Sequence, residues 1–598
     1  MILSLALGIA RLGNVFWHPK SFLVGGWSHP DNLGNHWLLV WVSEQLLHGK
    51  GILHNDRYYV PFGDYPWLAG NGSEGVLYLL FSWMEWPLGV VALILVIFLL
   101  SGMCTYLMSR ALYIGAWQSL IPVSVVLSSP FLHRELSAGR FSQVDIAWLM
   151  GSIAGLLWLL RSANRFWIIW TGVFVACTGF FYWYYAFFFV LFAVISVLIL
   201  GTRNHIQPIV KSAILSIICI APIAWIYAEN WGLIPGVSED IFPSPDAFAD
   251  SLNFTFAWFE PLGRTAGAVQ SIPSWIFAIF AVIAVFQKNR SIESQQMPKV
   301  VFMALMVFLL FWLLAYGPKL PIFEWVYGWA PPLRRFWWPS RHLIMVNIAM
   351  SILAGVGWQA ICQKWLQDHQ TKLWMSIGCA VLIPFSFWLQ GNRPFQALNS
   401  PVELPIEVYQ DIADLEGDVL LTPPLSPKLA KSQAALLFQL FHHKRLLTGH
   451  ALWVDRVRPT KWDDLIDNHV LLKAMQKFEN GENPDPVVLS QGDLVSLWDL
   501  GVDWIVLDAE LFLQSANPVL NGYVQVLTEL FGAPILQKDH VWVFNSHTWT
   551  RQSTVSFPKW HWPQGSTLGD GRHSANGLLN PSKVLQDGIQ APPLKFVQ

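Results

Sequence analysis

Apolar runs of membrane-crossing length alternate with short polar connections over the first two thirds of the chain, and then the pattern stops. The runs fall at 87–108, 117–132, 144–160, 166–181, 184–200, 208–228, 272–286, 300–316, 342–361 and 373–389. Crossing the hydrocarbon core takes about 20 apolar residues. The N-terminal run at 1–17 is broken by Arg11 and falls short of that length. No basic segment precedes it and no small-x-small cleavage signal follows, so it reads as a short or tilted first span rather than a signal peptide. The pattern predicts about eleven spans. As a single helix, the stretch 166–200 would be ~50 Å long at ~1.5 Å per residue, far beyond a ~30 Å core. It divides into two spans that turn at Tyr182-Trp183-Tyr184-Tyr185.

Beyond Gln390 short alternating segments bounded by Pro and Gly replace the long runs. Strands are predicted at 419–421, 502–507 and 541–544, with helical patterns at 429–441 and 519–531. After Trp549 the chain is rich in Gly, Pro, Ser and Asn and has no sustained period. The expected organisation is a transmembrane domain at 1–389 with a large first outward loop at 18–86, an extramembrane α/β domain at 390–549, and an irregular tail at 550–598. The fold class is mainly α, a polytopic helical membrane protein with a C-terminal α/β domain.

Composition agrees with that class. The 598 residues are 54% hydrophobic and only 13% charged, with a mean hydropathy of +0.41. Charged residues make up about a quarter of an ordinary soluble domain. The 34 tryptophans suit aromatic belts at the membrane interface. A net charge of −2 argues against a polyanion partner, and nucleic acid is excluded. Cys104, Cys177, Cys219, Cys362 and Cys379 all lie in apolar runs, so neither a disulfide framework nor a thiol metal site is expected. Arg110, Arg161, Arg165, Arg203, Lys211, Lys288, Arg290, Lys299, Lys364 and Lys372 fall in alternate short loops, which assigns those loops to the cytoplasm. The same parity puts the loop around Asp31, the loops at 133–143, 229–271 and 317–341, and the C-terminal region outside.

Three outward segments carry candidate chemistry. The first is His29-Pro30-Asp31-Asn32, expected on a loop that enters a short helix with Trp37 and Trp41 on one face at the head-group level. Asp31 either caps that helix or serves as a reactive acid beside the membrane. The second, His133 to Gln143, holds Arg134, Glu135, Arg140 and Gln143, with Asp145 just beyond. Ionisable groups near a bilayer face a cavity or one another, so this density marks either a functional site or an interfacial salt bridge of Glu135 with Arg134 or Arg140. The third carries Arg334, Arg335 and Arg341 among tryptophans, on the side where cations are disfavoured. Guanidinium groups bind phosphate oxygens bidentately, which suits a lipid phosphate; lipid head groups or acids of the exposed domain are the competing partners. No phosphate-binding glycine loop, zinc-protease helix or nucleophile elbow occurs. His442 and His443 are read as a solvated pair rather than a metal site.

These features resemble the GT-C superfamily of polytopic glycosyltransferases that use polyprenyl-phosphate-linked sugars, in particular bacterial members of that class. Asp31 matches the acidic residue of the large first outward loop, Glu135 the second acidic position, with Asp145 a poorer match, and Pro339-Ser340-Arg341 precedes a late span. The resemblance covers most of 1–389 and, more loosely, 419–544. The paired acids of several GT-C families are replaced here by Pro30-Asp31-Asn32. It implies an extracytoplasmic transferase of the bacterial inner membrane acting in the cell envelope. A lipid-linked sugar is the donor, membrane lipids surround the chain, and a protein partner can dock on the C-terminal domain. Asp31 is the expected base, with Glu135 assisting. Arg140, Arg341, Arg335, His29 and Gln143 are the expected substrate and lipid-phosphate contacts. A divalent cation between Asp31 and phosphate is compatible with this scheme, which does not require one. The alternatives are an inactive membrane scaffold, a transporter or flippase of a lipid-linked saccharide, and a ligase that moves a whole glycan.

Overall fold

The computed structural model describes residues 1–25, 30–62 apart from 53, 54 and 56, 74–229, 271–286, 292–315, 339–389 apart from 367, 406–449 apart from 427, 428 and 430–433, 459–512 apart from 483 and 485, 516–549 and 554–558. His29, Arg335 and the side chain of Asp31 lie outside the described residues, as does nearly all of the 229–271 and 317–341 loops.

Six helices among the described residues are long and apolar enough to cross a membrane: Trp86–Ala111, Phe141–Arg161, Trp183–Leu200, Arg203–Trp225, Gln296–Ala315 and Leu343–Trp365. Ile2–Leu12, Arg165–Phe181 and Ile272–Val285 are shorter apolar helices. The chain breaks at Tyr182, whose extended backbone separates Arg165–Phe181 from Trp183–Leu200.

The run expected at 117–132 is not one helix. Leu120–Leu127 ends at Ser128, and Pro130 opens a second helix, Pro130–Ser137. Proline lacks an N–H and disfavours helical backbone in the residue before it, so Ser129 is extended and its hydroxyl accepts the Phe131 N–H at 3.2 Å. Arg11 answers the break. Its buried guanidinium donates to the Leu127 carbonyl at 3.5 Å, at the end of the severed helix, and to the Ser129 carbonyl at 3.0 Å, which also accepts the His133 N–H that begins the next helix. The N-terminal helix is packed into the bundle by small residues: Gly102 admits Ser4, and Gly8 lies against Phe98.

Two expectations are corrected in the first loop. The helix Pro30–Leu47 begins at the proline, a favoured first helical residue, so Asp31 lies in the first turn rather than on a preceding loop. Trp37 and Trp41 are not at a lipid interface. They stack at 5.5 Å and are buried, together with Tyr58 and Tyr59, in the core of the C-terminal domain.

That domain is built on a five-stranded sheet in the order β2-β1-β4-β6-β5: β1 (Val419–Leu421), β2 (Arg445–Leu446), β4 (Val502–Asp508), β5 (Leu536–Lys538) and β6 (Val541–Asn545). β1 runs parallel to β2 and β4, while β6 is antiparallel to both β4 and β5. β3 (Val487–Val488) pairs with β7 (Thr554–Val555), so the core extends past Trp549 to Phe557. Helices Ala434–His442 and Asn517–Phe531 occupy the two predicted helical patterns. His442, expected on a solvated face, is instead buried and accepts the Lys444 N–H at 3.0 Å.

The first loop completes the edge of this sheet. The Val60 N–H donates to the Leu446 carbonyl at 3.1 Å, and the Leu446 N–H donates to the Arg57 carbonyl at 2.8 Å. Gln439 donates to the same Arg57 carbonyl at 2.8 Å, and Tyr59 packs on Trp462 at 5.3 Å. The segment that follows Asp31 is therefore held by the domain at the far end of the chain.

Candidate functional site

Glu135, almost fully buried near the end of Pro130–Ser137, is gripped by two arginines. Arg134 approaches Oε1 with Nε at 2.8 Å and Nη2 at 2.6 Å, and Arg140 approaches Oε2 with Nη1 at 3.1 Å. Burial on its own would raise the pKa of this carboxyl. The guanidinium groups of Arg134, Arg140 and Arg341 outweigh burial and bring it down to about 2. Glu135 is thus ionised at every physiological pH and is a weak proton acceptor. Both arms of the salt bridge foreseen as an alternative are present, and they present cationic edges around one carboxylate.

Arg341 reaches the cluster from the turn Pro339–His342 that precedes the Leu343–Trp365 helix. It interacts electrostatically with Glu135 and Arg140, and its guanidinium lies 4.7 Å from the Tyr184 ring centroid and 5.8 Å from that of Tyr182. Gln143 sits in the helical turn after Arg140. Its backbone carbonyl accepts the Tyr185 hydroxyl, and its side-chain Oε1 is buried without a hydrogen-bond partner among the described residues. Glu135, Arg140 and Gln143, close together in the chain, form one neighbourhood with the distant Arg341.

The Asp31 helix joins the same neighbourhood through the side chains of Asn32 and Asn35. Gly139, with φ of 64°, lies hard against the side chain of Asn32, and Asn35 Nδ2 donates to the Gly139 carbonyl at 2.9 Å. Only glycine fits there, because a side chain would meet Asn32 and would also hold a strained left-handed backbone. The start of Pro30–Leu47 is thereby seated on the loop that carries Glu135 and Arg140. His36, one turn further on, is buried between Trp86 and Phe141, and its Nε2 is 2.8 Å from the Val24 carbonyl. Burial lowers its pKa to about 4, against the raising effect of that hydrogen bond, so the imidazole is neutral.

Several participants are not singled out by sequence reasoning. Asn32, Asn35 and Gly139 dock the two loops, and Tyr182 and Tyr184 hold Arg341. Glu74 is a different case. It opens the short helix Glu74–Tyr78, is fully buried, and neither carboxylate oxygen has a hydrogen-bond partner among the described residues. Burial first, and then the nearby Asp145 charge, push its pKa well above the usual carboxylate range. Its position just ahead of an apolar run is the one signal in the sequence. Asp145, the poorer second acidic match, accepts from Ala147 N at 3.3 Å and Trp148 Nε1 at 2.9 Å where the helical stretch Ala147–Arg161 begins.

The described residues do not fit a divalent cation. Among them, no group of three or more His, Cys, Asp or Glu side chains could hold a metal ion, and both oxygens of Glu135 are taken by guanidinium groups.

No family model matches this chain, and no curated protein matches it either. Solved structures do. The arabinofuranosyltransferase AftD from Mycobacteria, a GT-C enzyme, aligns over 91% of this chain with a TM-score of 0.53 at 12% identity. The fold is GT-C-like. This GT-C-like chain spans 39% of the length of AftD. The Archaeoglobus fulgidus oligosaccharyltransferase aligns with 87% of this chain and 70% of its own (TM-score 0.48, 10% identity). ArnT from Cupriavidus metallidurans aligns with 92% of this chain and 97% of its own (TM-score 0.48, 13% identity).

Proposed function

We propose that this protein is an integral membrane glycosyltransferase that transfers a sugar from a polyprenyl-phosphate-linked donor to an acceptor on the extracytoplasmic side. The observation that carries the reading is the arginine cluster around Glu135, seated against the first turn of the helix that bears Asp31 within a GT-C-like fold. In this reading Asp31 takes the proton of an acceptor hydroxyl as its oxygen attacks the anomeric carbon. The bond from that carbon to the phosphate oxygen breaks, and the lipid phosphate leaves with the electron pair. Direct displacement inverts the anomeric configuration. Arg140 and Arg341 stabilise the departing phosphate, because preformed cationic donors strengthen their interaction as negative charge grows there. His29, Arg335 and Gln143 are assigned to substrate contacts.

Glu135 acts here by holding Arg140 and Arg134 in place, since an acid of pKa about 2 is a poor base. The proposed topology has about eleven membrane segments with basic loops inside, and the C-terminal α/β domain outside in the bacterial inner membrane. The proposed domain limits are 1–389, 390–549 and a tail, 550–598, the start of which adds β7 and Phe557 to the C-terminal domain.

The test is turnover by purified protein of a panel of polyprenyl-phosphate-linked sugars, followed by release of polyprenyl phosphate and formation of glycosylated acceptor. Movement of a labelled donor across proteoliposomes without release of polyprenyl phosphate would replace this reading with a transporter. Neither turnover nor movement, with a stable protein partner, would replace it with a scaffold.

A further inference from the structure

The turn at Tyr182-Trp183-Tyr184-Tyr185 has work beyond reversing the chain. Tyr182 stacks on Tyr184 at 5.1 Å with ring planes 12° apart, and meets Tyr185 edge-on at 4.7 Å. Tyr185 is fully buried and anchors the group by donating its hydroxyl hydrogen bond to the Gln143 carbonyl, one helical turn from Arg140. Over the stacked pair lies Arg341, 4.7 Å from the Tyr184 centroid and 5.8 Å from Tyr182. Arg341 makes no hydrogen bond or ion pair among the described residues, and the Tyr182 hydroxyl is buried without a partner among them.

A guanidinium held by its face on aromatic rings keeps its N–H donors, which lie in its plane, free for an anion. An arginine fixed by a carboxylate gives up part of those donors to it, as Arg134 does through Nε and Nη2 and Arg140 through Nη1 on Glu135. We infer that Tyr182 and Tyr184 are positioning residues: an aromatic shelf that aims Arg341 at the phosphate of a lipid carrier and so selects anionic over neutral polyprenyl lipids. This rests on the proposed donor class. It also gives the turn a reason to be aromatic at positions that point inward, where lipid contact does not apply: Tyr182 and Tyr184 are both buried.

The test compares binding of polyprenyl phosphate and of uncharged polyprenol of the same chain length by wild type, Tyr184→Phe, Tyr184→Leu and Arg341→Lys in detergent. Tyr184→Phe keeps the shelf and should bind polyprenyl phosphate like wild type. Tyr184→Leu should bind it about 3- to 30-fold more weakly, the range expected for one partly desolvated cation–π contact, with polyprenol affinity unchanged. Arg341→Lys keeps the charge but not the flat stacked face, and should lose affinity by a similar factor. It remains a usable probe if the leucine variant fails to fold. Equal binding of polyprenyl phosphate by wild type, Tyr184→Leu and Arg341→Lys would overturn the shelf while leaving the donor class intact. If wild type did not prefer polyprenyl phosphate to polyprenol, the donor class and the selective role of the shelf would fall together.

Discussion

The side chain of Asn32 rests against the α-carbon of Gly139, so the residue next to Asp31 is in contact with the loop that carries Glu135 and Arg140. Gly139→Ala would drive a methyl group into the Asn32 amide and place a side chain at a φ of 64°. The expected cost is about 1–3 kcal/mol, from left-handed backbone and overpacking together. Since the clash separates the two loops, donor turnover should fall by more than stability does. Thermal unfolding and turnover measured on the same preparation check this, and equal turnover by the two proteins would show that the contact does not align the site.

Glu135 sets the acid sensitivity of this region. Its carboxyl titrates at about 2 in the folded chain and near 4.5 when unfolded. A depressed carboxyl contributes stability that is complete above about 4.5 and is lost as pH falls through that value toward 2. Glu135→Gln should remove this dependence, giving a flatter unfolding temperature across that window. At neutral pH it should destabilise by about 2–4 kcal/mol, below the full range for a buried pair because Arg134 is partly exposed. A variant with the same acid profile as wild type would mean that the Glu135 ion pairs contribute nothing to folding.

Much of this arrangement is legible in the sequence, and the rest is hidden for physical reasons. The density of charge at 133–143 announces a cluster because solitary ions beside a bilayer are costly. The turn at Tyr182 follows from the length of the 166–200 run alone. Its role under Arg341 does not, because contacts between residues 157 or more positions apart leave no local period. Trp37 and Trp41 share a helix face, yet a face turned to head groups and one turned to a protein domain have the same spacing. Only the pairing of Arg57 and Val60 with Leu446 reveals which it is. Arg11 looks like a flaw in a first span until the helix broken at Pro130 supplies its partners.

Gly449 offers a handle on the union of the first loop and the sheet. A β-carbon there would collide with the Tyr59 ring, whose hydroxyl donates to the Gly449 carbonyl at 3.5 Å. Gly449→Val should therefore loosen the loop from β2 without unfolding the sheet, whose own strand pairs do not involve Tyr59. Limited proteolysis should show faster cleavage within the first loop and unchanged resistance of the C-terminal domain. Unchanged cleavage at both places would mean that the pairing does not restrain the loop.

Topology is open to a direct chemical test. Glu529 is exposed on Asn517–Phe531, so a cysteine placed there in a background lacking the native cysteines is available to reagent. The alternation of basic loops predicts labelling of Glu529→Cys by a membrane-impermeant maleimide in intact cells. Protection until the cells are lysed would place the C-terminal domain, and the site with it, in the cytoplasm.

The proposed base and the proposed phosphate contact should fail differently. Asp31→Asn keeps the shape of the side chain and can still accept a hydrogen bond, yet it cannot take a proton at neutral pH. Donor binding should persist while turnover falls ~10²–10⁴-fold, the usual cost of losing general-base assistance. Arg341→Ala removes a cationic partner of the lipid phosphate, so it should weaken binding of polyprenyl phosphate as well as lower turnover. The two variants thus separate along different kinetic axes, with Asp31→Asn changing the rate at saturating donor and Arg341→Ala also shifting the concentration needed to saturate. Turnover by Asp31→Asn equal to wild type on a verified donor would remove Asp31 from the mechanism and leave the base to another acid. Glu74 would be the next to test, because it is buried with neither carboxyl oxygen hydrogen-bonded among the described residues, whereas Glu135 with its pKa of about 2 is a poor base.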